Sequence, residues 1–170
     1  MNQTTVPEIN RTLIATINDC MQWPAGGNRV LVETKAGIRP PAGLYATLWW
    51  KWIRYLKQQI SDHRLVTEED AVYEYLKNEA LCSVQITFRG PTALDSTHSF
   101  RQYLESGARI FDLWKIVGFS NATDILDLSA YYNGDIQQRA CFDLEFYASF
   151  MRRYPADYFI KSRLEVENHV

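Results

Sequence analysis

LCSVQITFRGP, Leu81 to Pro91, alternates apolar with polar side chains and then stops on Gly90-Pro91. Cys82, Val84, Ile86 and Phe88 would face one way, and Ser83, Gln85, Thr87 and Arg89 the other. A clean period of two predicts a strand with one face in a core. RACFDLEFYASF, Arg139 to Phe150, repeats the pattern. Ala140, Phe142, Leu144, Phe146, Ala148 and Phe150 alternate with Arg139, Cys141, Asp143, Glu145, Tyr147 and Ser149. Pro155 ends this second strand. Two such strands imply a sheet with one covered face, and the segments around them must supply the cover.

Reading outward, Gly90-Pro91 opens a helix over 92–106, with Leu94, Thr97, Arg101 and Leu104 sharing a face. A third helix over about 108–117 carries Ile110, Leu113, Trp114 and Val117, with Gly118 as its stop. The first helix covers 7–21, where Ile9, Leu13, Ile17 and Met21 form one stripe and Pro7 suits the first turn. WPAGG at 23–27 terminates it. A short strand is expected at 29–34. The segment KAGIRPPAG, 35–43, has too many prolines and glycines for a central strand and reads as a stiff irregular arm.

Residues 44–56, LYATLWWKWIRYL, read as a strand. Ala46, Leu48, Trp50 and Trp52 are expected on the core side; Tyr45, Thr47, Trp49, Lys51 and Ile53 are expected opposite. The polar segment 61–70 reads as a hairpin tip, with Tyr73 and Tyr75 carrying the next strand back past it. This makes 57–80 a long projecting hairpin. A short strand is expected at 122–128. Asn133-Gly134 is a strong hairpin signal. A weaker strand is expected at 159–168, within a C-terminal tail at 155–170. Hairpin-linked strands with helices on one face define an α+β fold of mostly antiparallel sheet, in one domain spanning 1–170.

Composition narrows the function classes. The chain has 170 residues and a net charge of −2, which lacks the basic balance typical of a nucleic-acid-binding domain. Aromatics make up 14%, so a core or an interface must absorb many large rings. The three cysteines are far apart and form no CxxC or Cys/His cluster, which argues against a zinc site or a disulfide framework and for reduced thiols. No apolar run reaches about 18 residues, and Lys51 and Arg54 interrupt the tryptophan block, so no membrane span is expected. MNQTTVPEIN at the start has no secretory pattern.

No phosphate loop, dinucleotide fingerprint, nucleophile elbow or HExxH pattern occurs. Ser96 and His98 in DSTHS are two apart on a helix and do not face each other. Asp143 and Glu145 share a strand face roughly 7 Å apart, a spacing open to paired carboxylates, but with Arg139 on the same face the pair reads as a surface charge ladder. Trp49, Trp50 and Trp52 beside Lys51 and Arg54 could stack bases, which the overall charge disfavours. No catalytic residue, metal ligand or cofactor is expected. A small α+β enzyme and a nucleic-acid binder remain the alternatives from other classes.

Three stretches together resemble the neck or tail-terminator proteins of tailed bacteriophages. They are RPPAGLYATLWW (39–50), VQITFRGPTALDSTHSFRQYL (84–104) and LDLSAYYNGDIQQRACFDLEFYASF (126–150). The chain departs from the family pattern at Gln137-Gln138, where an acidic residue often precedes the Arg-Ala pair, and in the tail after Pro155. The resemblance implies a structural virion protein of the tail and neck, assembled in the host bacterial cytoplasm. Its implied form is a homo-oligomeric ring, commonly a hexamer, that caps the tail tube and ends its polymerisation. Tail tube, sheath and head-tail connector proteins would be its partners, with DNA passing through the lumen unbound. A head-completion or connector protein on the portal side is the nearest alternative. In a ring, Arg39, Pro40 and Pro41 of the arm and Asp62, His63, Arg64, Glu68 and Glu69 of the hairpin are expected at subunit contacts. Trp49 and Lys51 form a second group.

Overall fold

The structure is a computed structural model that describes residues 5–24, 26–33, 40–56, 62–68, 71–106, 111–132 and 134–155. In chain order the elements are α1 (Val6–Cys20), β1 (Val30–Val32), β2 (Tyr45–Tyr55), β3 (Asp62–Glu68), β4 (Ala71–Arg89), α2 (Ala93–Glu105) and α3 (Phe111–Ile116). They continue with β5 (Val117–Ala122), β6 (Leu126–Asp127), β7 (Ala130–Tyr132), β8 (Asp135–Gln137) and β9 (Arg139–Pro155). The main sheet runs β1-β2-β4-β9-β5; β3 also pairs β4, β6 also pairs β9, and β7-β8 form a separate hairpin. The architecture is α+β and dominated by antiparallel pairing. The exception is β1, which lies parallel to β2.

The two alternating strands are neighbours. β4 and β9 pair from Arg89↔Arg139 to Tyr73↔Pro155. Partners directly opposite in a ladder point to the same side, so Val84 with Leu144 and Ile86 with Phe142 face the helices. Cys82, Val84, Ile86, Phe88, Leu144 and Phe146 are all fully buried. α1 adds Ile9, Leu13 and Ile17, all buried. Its first turn is closed by a capping box in which Thr5 and Glu8 satisfy each other's backbone N–H groups, worth about 1 kcal/mol. α1 is tied to the sheet where the Trp50 indole N–H donates to Asn10 Oδ1 at 2.7 Å. Trp50 also meets Phe146 edge-on, 5.9 Å between ring centroids. Phe100 of α2 bridges Phe88 and Phe142 at 6.0 and 6.2 Å.

Several expectations change. The segment 61–70 is not merely a tip, because 62–68 is the strand β3 paired with 71–77 of β4; residues 61, 69 and 70 lie outside the described residues. The strand is polar in sequence and its described Leu65 and Val66, on opposite faces, are both exposed, so it lacks the apolar alternation by which a strand is read. The single strand expected at 122–128 is two: β5 starts at Val117 directly after α3, includes Gly118 and ends at Ala122, and β6 covers only Leu126–Asp127. α2 buries Ala93, Ser96, Thr97, Phe100 and Leu104, whereas Leu94 is exposed. β9 is described as far as Pro155, and the strand expected at 159–168 falls outside the described residues.

The tryptophan strand holds the main correction. The β2·β4 register shifts between Trp50 and Trp52, a bulge at Lys51. One extra residue reverses the alternation downstream. Trp50 pairs Val84 on the core side, but Trp52 pairs Ser83 on the outer side. The tryptophans therefore divide as Trp50 inward and Trp49 with Trp52 outward.

Candidate assembly surfaces

The outer sheet face is built from the other half of each alternating strand. Its rows read Tyr45-Arg89-Arg139, Thr47-Thr87-Cys141, Trp49-Gln85-Asp143, Trp52-Ser83-Glu145 and Arg54-Leu81-Tyr147. Its small central residues Thr47, Ser83, Thr87 and Cys141 are buried between larger neighbours, while Trp49 and Tyr147 are each 46% exposed. The Arg54 guanidinium lies over the Trp52 ring, 5.2 Å from its centroid.

Lys51 reaches Asp143 at 2.6 Å, and Gln85 Nε2 donates to the same carboxylate at 3.2 Å. The Asp143 backbone N–H donates to Thr123 Oγ1 at 2.9 Å. Lys51 thus engages one carboxylate oxygen and Gln85 the other, so the Asp143–Glu145 pair is a charge ladder on a sheet rather than an acid pair. His98 is exposed on α2 while Ser96 is buried, so DSTHS assembles no nucleophile and base. Among the described residues no cluster of three His, Cys, Asp or Glu could hold a metal. Cys20, Cys82 and Cys141 are free thiols. Burial pushes Cys20 and Cys82 up to about 11, with the Asp19 charge adding to the effect at Cys20. No described helix is long and apolar enough to cross a membrane.

The three sequence stretches that carried the resemblance meet at one end of the sheet. Gly43, at the end of the proline segment, abuts Gly90; both have positive φ, +79° and +103°, and a methyl group on Gly90 would lie 2.5 Å from the Gly43 carbonyl oxygen. Only glycine fits both the backbone angle and the space. From the third stretch, Gln138 accepts twice from the second: its carbonyl from Gly90 N–H at 3.0 Å and its side chain from Thr92 N–H at 2.9 Å. Thr92 itself sits at φ +63°, strained for a β-branched residue. Sequence reading missed this joint. The glycines and Gln138 signal turns individually, but nothing in the chain order says that they touch.

A second surface is the arm. β4 outruns the helices: 80–89 pair with β2, whereas 71–77 pair with β3 on the same side. β9 accompanies β4 on its other side to Pro155. The arm is thus three strands wide, β3-β4-β9, and its β4 segment 71–79 is about 30 Å long at strand rise. At its base is a cleft of about 420 Å³ lined by Leu56, Glu79, Trp114, Val117, Tyr147 and Ser149.

Of the residues expected at subunit contacts, Pro40 is exposed and Pro41 half-buried, at the edge of the Gly43–Gly90 joint. Trp49 and Lys51 share the outer face. Asp62, His63, Arg64 and Glu68 hold positions along β3. Arg39 and Glu69 lie outside the described residues. These positions therefore fall on separate surfaces, the joint, the face and the arm.

A family model described as phage neck terminator protein matches residues 9–168. The chain belongs to the phage neck terminator family. The chain is accordingly a structural protein of the virion and not an enzyme. Among solved structures it is similar to a chain of the native gene transfer agent virion. That match has 15% identity and a TM-score of 0.37, and covers 85% of this chain and 92% of the other. It is also similar to the type 4 fimbrial biogenesis protein PilO from Pseudomonas aeruginosa. There the identity is 13% and the TM-score 0.24, with 88% of this chain and 69% of the other covered. TM-scores this low carry no argument about assembly. No curated protein matches.

Proposed function

We propose that copies of this chain close into a ring, a hexamer, that caps the tail tube and stops its polymerisation. The ring would offer its other side to head-tail connector proteins and let DNA pass through the lumen without specific binding. The observation that carries this reading is the bare outer face of the sheet. Trp49 at 46% exposure and the Arg54–Trp52 stack lie beside Tyr147 on a face that no described helix covers. Exposed aromatics and arginine are the residue types that interfaces concentrate. The joint at Gly43–Gly90 brings Pro40 and Pro41 to the surface at one end of the sheet. Arg39, Pro40 and Pro41 are the second proposed contact, and Asp62, His63, Arg64, Glu68 and Glu69 are the third.

The family assignment supports the virion setting, and the mild negative charge of the chain suits a conduit that must not grip phosphates. Deleting the gene from the phage tests the capping role. The expected result is tails of uncontrolled length that fail to join heads. Tails of normal length would refute it.

A further inference from the structure

Among the described residues, the outermost part of the arm has two free edges. β3 uses one side for β4, and its other side has no strand partner among the described residues. β9 is paired on its far side by β5 only as far as Val117↔Ala148, so 149–155 form a second open edge among the described residues. These edges lie at the same level of the arm: Leu65 is opposite Glu74, which is opposite Tyr154. They also match in extent, β3 being 7 residues long against the free stretch 149–155.

Isolated edges are normally guarded by lysine, proline or a bulge, because an open row of N–H and C=O groups recruits another strand. β3 has neither lysine nor proline, and its register runs from Asp62 to Glu68 without a shift. Its central Leu65 and Val66 are 62% and 37% exposed. By sequence the two edges also differ in charge. β3 carries Asp62, Arg64 and Glu68, whereas the free stretch of β9 carries Arg152 and Arg153 and no acid.

We propose that β3 of one copy adds to the free edge of β9 in the next copy, so that the arms of neighbouring subunits form one continuous sheet. The inference rests on the ring reading and names the contact that would build it. The two edges are different strands on opposite sides of β4, so the contact is heterologous. Each pairing leaves one β3 and one β9 edge open at the ends of the row, and the row ends only when it closes on itself. β3 and β9 are both antiparallel to β4 and therefore run in the same direction. Around an axis along the arm, the added pair is parallel. Main-chain hydrogen bonds would supply the attraction, as in other strand additions.

Oxidative cross-linking of mixed single-cysteine variants tests this. One stock carries Leu65→Cys or Val66→Cys; the other carries Ser149→Cys, Met151→Cys or Tyr154→Cys, a panel that spans the registers available. The wild-type chain controls for its own thiols, and native mass spectrometry of each stock records whether the oligomer forms. The expected result is a reducible covalent dimer in at least one mixture and in neither stock alone. Cross-linking of the Leu65→Cys or Val66→Cys stock by itself would show an isologous β3–β3 contact and overturn the proposal. Intact rings with no cross-link from any mixture would overturn the strand pairing and leave the ring standing. A chain that stays monomeric at every concentration would overturn both.

Discussion

β4 and β9 pass side by side through two different environments, and the contrast separates what folds this chain from what it offers to others. Over 80–88 of β4 and 140–148 of β9, every second residue is fully or almost fully buried against the helices. Over 72–78 of β4, each residue is only half-buried on either face. The same two strands, in unbroken register, have a core along one half and none along the other. A three-stranded ribbon without a packed face is marginal by itself. The helix-covered half therefore carries the stability, and the arm is carried by it.

Substitutions should divide along that line. In the core half, Phe100→Ala removes the ring that joins Phe88 to Phe142 and should cost about 3–5 kcal/mol, read as a lowered denaturation midpoint. Next, Gly90→Ala forces a methyl group against the Gly43 carbonyl at a left-handed angle and should cost about 2–4 kcal/mol. A large loss on Gly90→Ala alongside a wild-type response to Phe100→Ala would mean that the sheet-end joint, not the aromatic core, sets stability. In the arm, Leu65→Asp should change monomer stability by no more than about 0.5 kcal/mol and yet abolish the oligomer, measured by native mass. Lys51→Ala should be smallest. Its ion pair with Asp143 is partly solvated, so a stability change under about 1 kcal/mol is expected. Equal stability losses from Leu65→Asp and Phe100→Ala would erase the distinction between the halves.

The two halves also differed in how far they could be read from sequence. Where one face is buried, the period of two is written into residue types, and 82–88 and 140–150 show it directly. Where neither face is buried, that signal is absent, and β3 reads as a polar tip. The bulge at Lys51 was equally invisible. It depends on how β2 meets β4, and alternation within WWKW alone places Trp52 beside Trp50. Trp49 was legible as an outward tryptophan because it precedes the bulge. The distal edge of β9 was not, since Pro155 signals where a strand stops and says nothing about which side of it stays open. The Gly43–Gly90–Gln138 joint lay hidden because its members are distant in the chain.

Hydrogen–deuterium exchange of the chain, free and assembled, tests most directly the claim that the arm completes itself on a neighbour. The account predicts that the backbone amides of 62–68 and 149–154 that point away from β4 exchange rapidly in the free chain and become protected on assembly. Amides of 82–88 and 140–148 should be slow in both states. Unchanged exchange at both arm edges in an assembled ring would contradict it.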